Sequence, residues 1–481
     1  MRKILLQSFL FLALIIAGNT NAQTVRYLDE VFNSVTVDSN VAYGQNKGFL
    51  TGFAVVDTLK MDIYRPTGDT ATNRPVIILM HAGSFLPGSL TGFTFADRKE
   101  NCLVELCQRY AKRGYVAVSM SYRLGWNPSS TDFDVRSGTI INAVYRAMQD
   151  AKTCVRYFRN DATNGTNQWG IDGNKFVLGG SNSGAYVALA AGNLNNPAEL
   201  EIPKFLDTLG VPYIDTVKTG NFDGFGGSQN VDNLSGISSS FNCVLALGGA
   251  VADTSYIEAG EVPVIAFQGV SEGLTPYNTA VVVTSTFNPV VEVSGSGDFM
   301  PVVSSIGNNN VFTPNFFAQG PPNRQGGVAT TSIEGLYPFW GQAFEPWNWY
   351  VANPIFNPSA SQSKAMLYID TIMGYSTPRL YRLLIDNSYQ GTTGIYEPKG
   401  NVEMQMYPNP ASGVVNVFGN SLQQPINTIQ LFDISGRLTL EMKNISAHYK
   451  AIDLSELNRG VYLLTVTLTN GESATQRLVV E

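Results

Sequence analysis

The chain has 481 residues, a net charge of -7, and 14% charged side chains against 44% hydrophobic ones. That hydrophobic share builds a sizeable core, and an acidic balance with no basic patch excludes nucleic acid as a partner. Charged residues fall well below the usual quarter or so of a soluble domain, so the polar surface must come from Asn, Ser, Thr, Gly and Tyr, as suits an exported protein. Histidine occurs twice, at His81 and His448, and cysteine four times, at Cys102, Cys107, Cys154 and Cys243. The cysteine spacing matches no zinc pattern and imidazole is scarce, so no metal and no cofactor is expected. In an oxidising compartment four cysteines permit two disulfides in three pairings. The alternative is buried thiols, and at most one bridge is expected.

Residues 1–22 read as a signal peptide. Arg2 and Lys3 give the positive start, Ile4 to Ala17 the apolar run, and Thr20 and Ala22 the small cleavage residues, so Gln23 would begin the mature chain. The run is short for a membrane span. No later segment is apolar enough, so no transmembrane span is expected in the mature chain. Residues 23–60 read as short strands and turns, and Leu59 to Tyr64 alternates as a strand. Val76 to Met80 is a continuous apolar run, the mark of a strand buried on both faces of a parallel sheet. A loop at His81 to Phe85 follows, then a helix over 99–113 ended by Gly114, then a buried strand over Tyr115 to Met120. Helical spacing runs from about Thr139 to Arg159, with Ala143, Ala147, Ala151 and Val155 on one side. Lys175 to Leu178 is a strand, a glycine-rich turn follows, and Ala185 to Ala191 opens a helix. Cys243 to Leu247 and Val262 to Phe267 are further strands. Residues 195–240 read as an insertion or lid over the strand ends, and 285–350 as irregular. Alternating strands and helices predict an α/β domain with a mainly parallel sheet flanked by helices. That domain is placed at 23–385, with a polar linker at 386–401. Over 402–481 short alternating segments (414–418, 428–432, 461–466) predict a small antiparallel β-sandwich.

The C-terminal segment carries four motifs in order: Tyr407-Pro408-Asn409-Pro410-Ala411, Leu431 to Arg437, Leu454 to Tyr462, and Arg477-Leu478-Val479-Val480. It resembles the type A sorting domain of the type IX secretion system of the Bacteroidetes. The resemblance implies export across the outer membrane of a Gram-negative bacterium, the type IX machinery as a partner, and a secreted or outer-membrane cell-surface location. Residues 55–385 resemble α/β-hydrolases of the carboxylesterase type. The pieces are Met61 to Pro66, the His81 loop, Ser121-Tyr122-Arg123-Leu124-Gly125, Asp150 to Phe158, the turn at Gly180, and Val262 to Tyr277.

The positions that carry chemistry in such a fold are changed. His81-Ala82-Gly83 stands where the family presents backbone N–H groups to an oxyanion, and His81 is expected to support that loop, not to act as base. The nucleophile turn needs small residues around a lifted hydroxyl. Here Gly180-Ser181-Asn182-Ser183-Gly184 puts Asn182 at the tip, a residue that enters left-handed backbone space readily but is no nucleophile. Ser181 and Ser183 are the alternative nucleophiles. Glu272, after the strand at 264–267, occupies the acid position; its bland reading is a solvated loop carboxylate. Gln268 stands where the family often has His. No imidazole is available as base. Lys152 and Lys175 are near in sequence, but nothing in the spacing places an amine beside either serine. The loop Tyr337 to Trp347, with Glu345, reads equally as a packed aromatic loop or a ligand-facing wall.

Losing one member of a Ser-His pair costs on the order of 10⁶ in turnover. The expectation is therefore a secreted, catalytically degenerate carboxylesterase-like protein that binds a small-molecule ester or glycan. The alternative is an active serine esterase using Ser181 or Ser183 with an unusual base.

Overall fold

The structure, a computed structural model, describes residues 24–50, 52–92, 94–312, 333–342, 345–349, 360–386, 404–407, 409–419, 425–433, 437–447, 449–470 and 473–481. The signal-peptide reading at 1–22, nearly all of the linker, His448 and parts of the C-terminal motifs lie outside them. The chain divides into two units, Met1–Tyr389 and Gln390–Glu481.

In the first unit, β1 (Val35–Gly48) and β2 (Val55–Pro66) form a long antiparallel pair. Then come β3 (Arg74–Met80), α1 (Asn101–Lys112), β4 (Val116–Met120), α2 (Phe133–Asn164), β5 (Ile171–Ser181), α3 (Ser183–Asn193) and β6 (Cys243–Leu247). Two residues, Ala250–Val251, make β7, followed by β8 (Val264–Gly269), β9 (Ala280–Val283), β10 (Pro289–Gly295) and α4 (Ser296–Ser305). The unit ends with β11 (Leu336–Phe339) and α5 (Gln362–Leu384). Eight strands make one sheet in the order β1-β2-β4-β3-β5-β6-β8-β11. From β4 to β11 every pairing is parallel; β1 and β2 join antiparallel at one edge. This is the α/β class expected.

The apolar runs explain the layers. All seven residues of β3 are buried, because helices cover both faces of the sheet. Val76, Ile78 and Met80 join the core that holds Ala143, Ala147, Ala151 and Val155 of α2 and Leu189 of α3. Ile77 and Leu79 point to the other core, with Leu103 and Leu106 of α1 and Ile369 and Ile372 of α5. All four cysteines are buried and unbridged, which is the buried-thiol reading. Helix α2 begins six residues before the expected Thr139. The Asp132 side chain accepts from Asp134 N at 2.8 Å and from Val135 N, and this cap holds a first turn whose apolar Phe133 and Val135 are exposed and so fall outside the buried spacing.

Residues 195–240 bond to α2 and β1: Tyr145 Oη and Gln149 Nε2 donate to the carbonyls of Gly220 and Thr219, and Asn233 Nδ2 to that of Gln45. These bonds brace the long helix, as an insertion in the α/β domain would. The segment 285–350 is also more regular than expected, holding β10, α4 and β11. Behind the sheet ends, Arg123 and Asp150 form an ion pair at 2.9 Å with both side chains fully buried. Among the described residues no helix is long and apolar enough to cross a membrane.

The second unit is antiparallel. One sheet joins β12 (Met404–Tyr407), β13 (Val414–Gly419) and β16 (Tyr449–Asp453); the other joins β14 (Ile426–Asp433), β15 (Leu438–Ala447), β17 (Gly460–Leu468) and β18 (Ser473–Val480). Val415, Val417, Ile429, Leu431, Leu464 and Val466 alternate into their common core, the period-2 pattern of strands with one buried face.

Candidate functional site

The turn from β5 into α3 is set by packing. A methyl group on Gly184 would lie 2.1 Å from the Met80 carbonyl oxygen, and one on Gly180 would lie 2.5 Å from the Gly184 backbone. Only glycine allows α3 to approach β3 and β5 this closely. The residue between them absorbs the bend: Asn182 has φ 49° and ψ -114°, a conformation costly for most side chains. Its N–H donates to Leu247 O at 2.8 Å, tying the tip to the end of β6.

The Asn182 carboxamide is fully engaged. Its Oδ1 accepts the Ser183 N–H at 2.9 Å and its Nδ2 donates to Thr275 Oγ1 at 2.9 Å. Its amide also pulls down the pKa of the neighbouring Glu345 carboxyl. Ser181 is fully buried, and its Oγ accepts the indole N–H of Trp347 at 3.1 Å. Ser183 is 2% exposed; its Oγ accepts from Ser84 N at 3.1 Å and lies 3.4 Å from Tyr122 Oη. Lys152 pairs with Asp223 and Lys175 with Asp172, both at 3.4 Å, so each amine is engaged away from these serines.

The loop after β3 holds His81, Ala82 and Gly83. His81 is buried and stacked on Tyr122 at 4.5 Å, and its Nδ1 lies 2.6 Å from Ala82 O. Burial lowers its pKa to about 4, so at neutral pH it is an uncharged brace. Tyr122 Oη donates to His81 O at 2.8 Å, and Ala82 N donates to Glu100 Oε2 at 3.0 Å. The N–H groups of Ala82, Ser84 and Ser183 are thus all met from within the chain.

Two carboxyls stand behind Asn182. Glu272 and Glu345 are 7% and 8% exposed. They converge beside Gly248, where a methyl group would lie 3.5 Å from Glu345 Oε1 and 3.6 Å from Glu272 Oε2. Asn348 Nδ2 donates to Glu345 Oε2 at 2.5 Å. Burial pushes the Glu345 pKa up to about 8 against the pull of Asn182 and Asn348. Glu272 is raised too, first by burial and then by the charge of Glu345. Burial disfavours the charged form and two neighbouring carboxylates disfavour each other, so the pair keeps a proton near neutrality. Glu272 is therefore no solvated loop carboxylate. Glu345, which the sequence showed only as part of an aromatic loop, is brought against the turn by the packing of Trp347, which lies 6.0 Å ring to ring from Phe339 of β11. Gln268 is fully buried: Nε2 donates to Thr275 O and Pro276 O, and Oε1 accepts from Ser296 N. It closes the 268–276 loop that carries Glu272 and Thr275. The described residues place no cluster of metal-binding side chains here or elsewhere.

The esterase-type family BD-FAE matches residues 61–287, and the secretion system C-terminal sorting domain matches residues 405–481. The chain therefore carries an α/β-hydrolase domain of esterase type and a type IX sorting domain, and the latter marks a secreted or cell-surface protein that engages that secretion machinery. Beta-agarase D of Zobellia galactanivorans is 30% identical over 87 residues, which span 18% of this chain and 17% of that protein. Among solved structures, apo Thermogutta terrifontis esterase 2 is 16% identical with a TM-score of 0.37, covering 72% of this chain and 94% of that one. Its butyrate-bound form is 15% identical with a TM-score of 0.37, covering 66% and 86%.

Proposed function

We propose that the protein is a secreted, non-catalytic member of the esterase-type α/β-hydrolases that acts by binding. One observation carries this: the tip of the nucleophile turn is Asn182, and its own Oδ1 occupies the Ser183 N–H that would otherwise meet an oxyanion. An oxyanion hole works by donors left free for charge that develops in the transition state. Here Ser84 N and Ser183 N both have partners within the turn. The position facing the tip holds Glu345, a carboxyl that keeps its proton near neutrality, in place of an imidazole. The rival reading, an active esterase using Ser181 or Ser183, would need one of two buried hydroxyls to leave its present partner.

The proposed ligand is a small ester or glycan. A shallow cleft beside α2, edged by Tyr157, Asn160, Asp161, Gln168 and Asp232, is the candidate place for it. On this reading residues 1–22 direct passage across the inner membrane in a member of the Bacteroidetes, and the sorting domain delivers the protein to the outer-membrane surface or the medium. Hydrolysis of short acyl esters by the purified full chain tests the proposal. Turnover no faster than buffer is expected, and robust turnover abolished by Ser181→Ala or Ser183→Ala would overturn it.

A further inference from the structure

Asn182 has a geometry that capping a helix does not require. An asparagine side chain cyclises when the backbone nitrogen of the next residue reaches its Cγ. Ring closure needs that nitrogen and Cβ to eclipse each other about the Cα–C bond. Ordinary caps prevent this. Asn196, which caps the short helix at 197–201, has ψ 128°, and its Oδ1 takes the N–H of Ala198, two residues on, at 3.1 Å. At Asn182, ψ is -114°, which turns Cβ and the Ser183 nitrogen nearly into eclipse. The Ser183 N–H accordingly points at the Oδ1 of its immediate neighbour, 2.9 Å away. The close approach of Gly180 and Gly184 to Met80 locks this backbone, so the entropy of reaching a reactive conformer is met by the fold.

We propose that Asn182 is a self-modification site: the Ser183 backbone nitrogen closes on Asn182 Cγ, ammonia leaves, and water opens the resulting succinimide to aspartate or isoaspartate. In the first step the N–Cγ bond forms and the Cγ–Nδ2 bond breaks. The departing nitrogen takes one proton from the Glu272–Glu345 pair, and the proton lost by Ser183 N returns to the pair through solvent. The second step adds one water across an imide C–N bond. No oxidant or other reactant is needed. The leaving nitrogen donates to Thr275 Oγ1 at 2.9 Å, and the Glu345 carboxyl stands near enough to feel Asn182. The pair behind it retains a proton near neutral pH, so an acid stands beside the leaving group. Asn182 is only half-buried, which admits water to the turn.

The test is peptide mapping by mass of the full chain, incubated near neutral pH folded and in denaturant. Asn164-Gly165 and Asn470-Gly471 serve as clocks in the denatured sample. Conversion at Asn182, read as a gain of about 1 Da or as the succinimide, should run about tenfold or more faster in the folded protein than in the denatured one. Glu345→Gln, checked for folding by its melting curve, should slow the folded rate several-fold and leave the denatured rate unchanged. A folded rate at Asn182 no greater than the denatured rate overturns the proposal. An unchanged folded rate in Glu345→Gln contradicts the part given to the carboxyl pair. Neither readout depends on ester hydrolysis, so the binding proposal stands or falls separately.

Discussion

The backbone of the turn at 180–184 and the side chains that face it were shaped by different demands. The backbone keeps every feature that close packing of α3 on the sheet requires: glycine at 180 and 184, a left-handed tip, and a tie to the end of β6. On the binding reading proposed above, the side chains keep the positions of a hydrolytic site but not its chemistry, with a carboxamide at the tip and a buried carboxyl pair that keeps a proton behind it. A fold can therefore hold a catalytic geometry through packing alone, because the cost of losing that geometry falls on stability. Nothing in packing obliges a hydroxyl or an imidazole to remain.

Restoring the chemistry should separate the two most clearly. The triple variant Asn182→Ser, Glu345→His, Glu272→Asp should hydrolyse short acyl esters on the order of 10³-fold or more faster than the parent chain. Asn182→Ser alone should recover less, since the base is still missing. A triple variant that folds and shows no gain would mean that the backbone has lost the oxyanion geometry as well. Attacking the packing should instead cost stability. Gly184→Ala drives a methyl into the Met80 carbonyl and should destabilise by about 1–3 kcal/mol in denaturant titration. Trp347→Phe removes the indole donor from buried Ser181 and should cost about 1 kcal/mol beyond the lost ring area.

The smallest effect is on pH dependence. The folded pKa of Glu345 is raised from 4.5 to about 8, so the folded state binds more protons than the unfolded one across that window. Its contribution to stability is then complete below about pH 4.5 and is lost as pH rises through about 8. Glu345→Gln should flatten that part of the melting-temperature profile relative to the parent. The half-buried Glu261 carboxyl, also raised, to about 9, leaves a slope in both proteins. A profile unchanged by the substitution would place the Glu345 proton elsewhere.

Much of the fold is legible in the sequence because burial on both faces leaves continuous apolar runs, as in β3 and β6. The start of α2 is not, since Asp132 caps a first turn whose apolar Phe133 and Val135 face solvent. Strands β15 and β16 are missed because their residues are mostly exposed or half-buried and carry a weak alternation. Within the site, Asn182 and Glu272 can be picked out because glycine spacing and strand order index them. Glu345 cannot be indexed in that way. Its approach to Asn182 depends on how Trp347 packs between Phe339 and Ser181, a tertiary contact with no local signature.

Treatment of the full chain with a fluorophosphonate that reacts only with activated serines, followed by peptide mapping, tests the account most directly. The filled turn predicts no adduct at Ser181 or Ser183, while Asn182→Ser with Glu345→His becomes labelled at position 182. A stoichiometric adduct on either native serine would contradict it.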